Sequence, residues 1–239
     1  MFYLIETKNQ LNKLIDKLSV SDSPYLEFIQ GNDNTHPALA EIIAIYLNVN
    51  KESYIIPINH PECINQNRDH VFSLLQDFEF CILDKKSGLH AAPQLSYTDI
   101  QHTIPPISEH TTQAHRWYYR KFPHTKVNKM IPIGKHLERC ESKLRAIIDD
   151  SPSDTNEYYD SILLPVLYEL EKNTLKFNDK FDDYFKPKCK KFSIKEDHIY
   201  GWYNPYTTTG RPVNNFNGIN FVALKHDNGE RDTFEPDND

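Results

Sequence analysis

Residues 203–221 read Tyr-Asn-Pro-Tyr-Thr-Thr-Thr-Gly-Arg-Pro-Val-Asn-Asn-Phe-Asn-Gly-Ile-Asn-Phe. Thr207, Thr208, Thr209, Gly210 and Arg211 in succession, then Asn214, Asn215, Asn217 and Asn220, suit the oxygens of a phosphate chain. Hydroxyls and amides donate, a glycine lets the backbone come close, and a guanidinium binds bidentately. No core-packing requirement asks for such a run, although a turn-rich β-hairpin is its plain alternative. A second segment, His115 to Phe122, interleaves Arg116, Arg120 and Lys121 with Trp117, Tyr118 and Tyr119. Cations among aromatics neutralise phosphates and stack bases, and the same mixture also suits a helix with its rings inward and its charges outward.

The other chemistry to look for is metal-assisted phosphodiester cleavage, which needs carboxylates converging on ions roughly 3.5–4 Å apart. Glu27, Asp84, Asp99 and Glu141 are the acids that could be assembled for it. Eleven histidines supply neither His-Glu-x-x-His nor His-x-x-x-His, and His102, His110, His115 and His124 read as surface residues beside a proline-bearing loop. With seven glycines there is no Gly-x-x-x-x-Gly-Lys and no Gly-x-Gly-x-x-Gly, which argues against an ATPase or a dinucleotide enzyme.

A net charge of −7 on 239 residues disfavours a polyanion taken as a whole. The distribution is uneven, however. From His115 to Arg145 there are nine Lys or Arg against Glu138 and Glu141, and residues 186–195 hold five lysines and no acid. Such segregation suits a phosphate-binding face on an acidic body. Cys63, Cys81, Cys140 and Cys189 form no Cys-x-x-Cys, so reduced thiols and a cytoplasmic location are expected, with neither zinc nor disulfides. Neither a membrane span nor a signal peptide is expected.

The elements that must position these residues follow from spacing. Thr7 or Asn9 caps a helix through Leu11, Leu14, Ile15 and Leu18, ending near Ser19. Tyr25–Ile29, Ile42–Leu47 and Tyr54–Asn59 read as three strands of an antiparallel meander, with Pro57 at an edge or a strand end. A helix around Val71–Leu75, a strand at Phe80–Leu83 and a helix from Ile133 to Ile147 follow. This is an α/β order with a mixed sheet and flanking helices. The polar run Asp149–Asp154 divides the chain into 1–150 and 151–239. Beyond it, Tyr158 to Phe185 reads as one long helical region, with Ile162, Val166 and Leu170 as a stripe and Leu163 and Leu167 flanking it.

The strand and helix order resembles the ribonuclease-H-like fold of 3'-5' exonucleases. That resemblance implies an Asp-x-Glu on the first strand, where this chain has Tyr25-Leu26-Glu27. It implies an aspartate after the fourth strand, where Asp84-Lys85-Lys86 stands, and an acid on the last helix, where His136-Leu137-Glu138-Arg139-Cys140 ends in cysteine. An inactive exonuclease-like domain, without catalytic or metal residues, is therefore expected. Thr-x-Thr-Gly-Arg with its Asn-rich loop, and Leu164-Pro165-Val166-Leu167-Tyr168-Glu169-Leu170-Glu171, are similar to the opening of the polymerase domain and to its linking helix in phage-type family A DNA polymerases. The resemblance implies the N-terminal part of such an enzyme, ending before the palm and with little room for a thumb. It would bind primer-template DNA, take no cofactor alone, and need a C-terminal palm and fingers polypeptide and Mg2+ for synthesis. A stand-alone DNA-binding accessory protein and an active exonuclease are the alternatives.

Overall fold

The computed structural model describes residues 2–31, 36–100, 127–150, 159–185, 194–204, 213–214, 224–225 and 228–235. Its main sheet has six strands: β1 (Phe2–Leu4), β2 (Tyr25–Gln30), β3 (Ile42–Val49), β4 (Glu52–Pro57), β5 (Glu79–Ile82) and β6 (Ser96–Asp99), in the order β1-β4-β3-β2-β5-β6. β3 runs antiparallel to β2 and β4, whereas β2, β5 and β6 are parallel, and β1 lies parallel to β4. Leaving out β1, this is the order and polarity of the ribonuclease-H-like fold. The chain is thus an α/β protein with that mixed sheet and flanking helices.

Local chemistry explains the meander. Val49 pairs with Glu52, so the β3–β4 loop is the dipeptide Asn50-Lys51, and both residues have positive φ, 51° and 67°. Two left-handed residues give the tight turn whose twist matches antiparallel strands. β3 is central and almost wholly buried, with Ile45, Leu47 and Val49 on one face and Ile43, Ala44 and Tyr46 on the other. Helix α1 (Lys8–Leu18) begins at a Thr7–Gln10 capping box and buries Leu11, Leu14 and Leu18 on the first face. Val71, Phe72 and Leu75 of α2 (Arg68–Leu75) join the same core. The second face is covered by α4 (Ile133–Asp150) through Leu137, Cys140 and Leu144. Helix α3 (Lys85–Ala91), which spacing does not announce, follows β5, and Gly88 lets it approach closely, since a Cβ there would stand 2.8 Å from Ile82 Cδ1.

The long helical region expected from Tyr158 to Phe185 is interrupted. A π-turn (Tyr159–Leu163) leads into α5 (Leu164–Lys172), and then come strand β7 (Leu175–Phe177) and α6 (Phe181–Phe185). Pro165 lacks the N–H that would bond the carbonyl of Asp160, and Lys85 Nζ takes that carbonyl instead at 2.9 Å. The break at β7 has a non-local cause. β7 pairs with β9 (His198–Ile199) and with β12 (Phe234–Glu235), while β8 (Ile194–Lys195) completes a small antiparallel sheet. Phe177, Phe181, Phe185 and Phe234 pack beneath it.

The face that α5 buries also departs from the stripe that spacing picks out. Leu164, Leu167 and Glu171 point inward, while Ile162, Val166 and Leu170 are 55%, 53% and 54% exposed. Truncating the two faces should therefore differ. We expect Leu167→Ala to cost about 2–5 kcal/mol and Val166→Ala to stay within about 0.5 kcal/mol in urea titrations. Equal losses would show that Val166 packs as Leu167 does.

Candidate functional site

In β2, residues 25, 27 and 29 alternate toward α4, which brings Glu27 beneath that helix. On α4, Lys143 lies one residue from Leu144 and three from Cys140, both of which pack on the sheet, and it turns the same way. Lys143 Nζ donates to Glu27 Oε1 at 2.6 Å, and Tyr25 Oη donates to Glu27 Oε2 at 3.1 Å. Side-chain exposures of 7% for Lys143 and 16% for Glu27 make this a largely desolvated pair. Burial, with Glu27 nearby, pushes the Cys140 thiol well above its ordinary range, which favours the neutral thiol in this core.

The remaining acids are engaged elsewhere. Asp84 caps α3, accepting from Ser87 N at 3.1 Å and Ser87 Oγ at 2.9 Å. Asp99 Oδ2 accepts from Lys85 N at 2.7 Å, so two carboxylates hold the α3 N-terminus. Glu141 faces Arg145 at 3.4 Å. Among the described residues Glu27, Asp84, Asp99 and Glu141 do not form a metal-ligating group. Among the described residues, these four acids are thus not brought together on one site. Glu27 already holds an ammonium, and a tyrosine stands where the resemblance asks for an aspartate.

A different constellation joins α3 to the C-terminal half. His36, His90 and Glu171 place one donor atom each within 4.8 Å of one another. Glu171 and Lys86 are 0% and 2% exposed. Glu171 Oε1 pairs with Lys86 Nζ and accepts from Tyr203 N at 2.7 Å, and Oε2 meets His90 Nε2 at 3.0 Å. Lys86 Nζ also donates to the Tyr203 carbonyl and lies 3.9 Å from the centre of the Trp202 ring. His36 meets the rings of His90 and Trp202 edge-on and that of Tyr200 at a tilt. Burial first, then His90 and Lys86, depress its pKa to about 3. The trio offers His and Glu donors, but it does not fit a divalent ion as it stands. Its single anion is neutralised by Lys86, and a dication would leave uncompensated charge in a buried site.

Of the residues that sequence singles out for DNA, Asn214 lies in β11 (Val213–Asn214), antiparallel to β10 (Tyr203–Asn204). Thr207, Thr208, Thr209, Gly210, Arg211, Asn215, Asn217, Asn220, Arg116, Arg120 and Lys121 lie outside the described residues. Sequence reading misses Lys86, His90, Lys143 and Glu171. Only Glu171 leaves a trace, as a carboxylate four residues from Leu167 and seven from Leu164, on the buried side of α5.

Two outcomes follow from these charges. Lys143→Met strands Glu27 and is expected to cost about 3 kcal/mol, and adding Glu27→Gln should restore most of it. Chemical denaturation of the single and double variants checks this, and a double variant as weak as the single one would mean that the pair carries no energy. His36 is neutral when folded and has a folded pKa below its unfolded value. Its contribution is complete above about pH 6.5 and declines as pH falls toward 3, by up to roughly 1.4 kcal/mol per unit. His36→Gln should accordingly lose less stability than the parent between pH 7 and pH 4.5. An unchanged difference would exclude His36 as an acid-labile group.

No protein-family model matches the chain, and no curated protein does. Among solved structures it is similar to Escherichia coli RNase D, an exoribonuclease involved in structured RNA processing, at 14% identity over 71% of this chain and 44% of that one, with a TM-score of 0.40. Trypanosoma brucei RNase D aligns at 9% identity over 71% of this chain and 70% of that one, TM-score 0.42. The EXO domain of Aedes aegypti Nibbler aligns at 14% identity over 58% and 67%, TM-score 0.33. The chain spans less than half of the E. coli enzyme. Likenesses of this size add nothing to the assignment of the ribonuclease-H-like fold, which rests on strand order and polarity.

Proposed function

We propose that this chain is a non-hydrolytic, exonuclease-like DNA-binding protein that serves as the N-terminal part of a phage-type family A DNA polymerase. In this reading it holds primer-template DNA, and a C-terminal palm and fingers part, in the same polypeptide or in a second one, performs synthesis with Mg2+. The observation that carries the non-hydrolytic reading is the Glu27 carboxylate closed on both oxygens by Lys143 and Tyr25. Hydrolysis needs carboxylates free to bind metal, and this one is neutralised in place. DNA binding is supported by the Thr207–Arg211 run and the Asn-rich loop after it. The partner is supported by the likeness of 164–171 to the linking helix and by the exposed apolar residues Ile162 in the π-turn and Val166 and Leu170 on α5. An apolar stripe of this kind suits a protein surface better than water.

A labelled primer-template tests both halves of the proposal. The isolated chain should shift the duplex weakly, with log affinity falling by roughly 0.9 per neutralised phosphate against log salt. It should neither shorten nor extend the primer with Mg2+ or Mn2+. Arg211→Ala should weaken binding about ten- to a hundredfold while leaving stability unchanged. Metal-dependent shortening that Glu27→Ala abolishes would establish an exonuclease instead. Binding insensitive to both salt and Arg211→Ala would remove the DNA reading.

A further inference from the structure

The turn that leads into β12 carries the pair Asn228-Gly229. Its backbone selects glycine at the second position. Gly229 has a φ of 76°, in the left-handed region, and a Cβ there would stand 2.6 Å from Tyr184 Oη of α6. Asn228 is exposed to solvent. Its Oδ1 accepts from Glu230 N at 3.2 Å, so the side chain folds forward over the next peptide unit in an Asx-turn. The ring closed in this way contains the Gly229 amide, which brings Asn228 Cγ beside the Gly229 nitrogen. The same hydrogen bond draws electron density from the Cγ carbonyl, and residue 229 has no side chain to shield it.

We propose that Asn228-Gly229 is a self-modification site of the folded chain. The Gly229 nitrogen gives its proton to solvent base and bonds to Asn228 Cγ, and the side-chain nitrogen leaves as ammonia. Water then opens the cyclic imide. Addition at Cγ yields aspartate, and addition at the main-chain carbonyl yields isoaspartate, whose backbone is longer by a methylene. Both products act on a turn that is tied on each side. Glu230, 5% exposed, accepts from Lys225 N at 3.1 Å, and Thr233 Oγ1 donates to Glu230 O at 2.7 Å. Asp232 N donates to Gly229 O at 3.1 Å. Asn178, just after β7, donates from N to Thr233 O at 2.9 Å and from Nδ2 to Asp232 O at 2.8 Å. A new carboxylate at 228 joins Glu230 and Asp232 in the same turn, and an added methylene shifts Gly229 against Tyr184. Either change loosens β12 from β7.

The test incubates the full chain in mildly alkaline buffer, folded and in urea, and then digests it. Cleavage after Lys225 and Arg231 isolates Asn228 in residues 226–231, apart from the pair Asn217-Gly218. We expect this fragment to gain the mass of amide-to-acid conversion and to accept label from an isoaspartate methyltransferase. Asn228→Gln, whose longer side chain cyclises far more slowly, should suppress both. If the turn had to open before attack, each roughly 1.4 kcal/mol of opening would slow conversion about tenfold relative to urea. Conversion in the folded chain should therefore lie within about tenfold of that in urea, the cost of one such step. Slower conversion would mean that the turn shields the pair, and it overturns the proposal. Amide exchange at Asn178 and Phe234 should quicken in the aged parent and stay constant in aged Asn228→Gln. Converted protein with unchanged exchange overturns the effect on β12.

Discussion

A carboxylate moved out of water must bring a counter-charge or lose its ionisation, because the low-dielectric interior stabilises an isolated ion poorly. Beside the main sheet the chain meets that constraint at Glu27 under α4 and at Glu171 on α5, and answers it with Lys143 and Lys86. Each pair fixes more than its own two residues. Lys143 sets which face of α4 lies on β2. Lys86 sets the rotation of α5, and with it the placement of β10. Replacing one member of either pair leaves an orphaned charge, so the pairs act as constraints on geometry more than as sources of stability.

The pairing at Glu27 commits one carboxylate of the ribonuclease-H-like sheet to a lysine of the same chain. A two-metal centre works by keeping several carboxylates close together and unneutralised until cations arrive. Here a covalently attached cation has arrived already, and the tyrosine at position 25 donates to the other oxygen. Asp84 and Asp99 are turned to a neighbouring task, holding the N-terminus of α3. That helix carries Lys85 and Lys86, which reach across to Asp160 and Glu171. Acids at the ends of β5 and β6 thus anchor the helix that ties the C-terminal half to the sheet.

Rotation of α5 links this anchoring to the proposed partner. With Glu171 committed to Lys86, helical geometry sends Leu164 and Leu167 inward and turns Ile162, Val166 and Leu170 out. Had the apolar stripe faced the body, the carboxylate would have faced solvent and Tyr203 would have lost its acceptor. One buried charge therefore decides both what the helix hides and what it offers. The π-turn before α5 and the capture of the Asp160 carbonyl by Lys85 accommodate Pro165 without breaking the helix there.

Sequence alone determined the elements governed by neighbours along the chain. The Thr7 cap, the three strands of the meander, the end of β4 at Pro57, α2, β5 and α4 were legible because capping and hydrophobic period act within a few residues. That position 25 holds a tyrosine, where the resemblance asks for an aspartate, was equally plain. What the tertiary structure decided was every pairing across distance: Glu27 with Lys143, 116 residues away, and Lys86 with Glu171, 85 away. It also decided β7, a strand inside an apparently helical stretch, because its partners β9 and β12 come later in the chain. The outward stripe of α5 belongs to the same class. Periodicity shows that a helix has two faces, but which one is buried depends on the charge that waits for it, and that charge sits on α3.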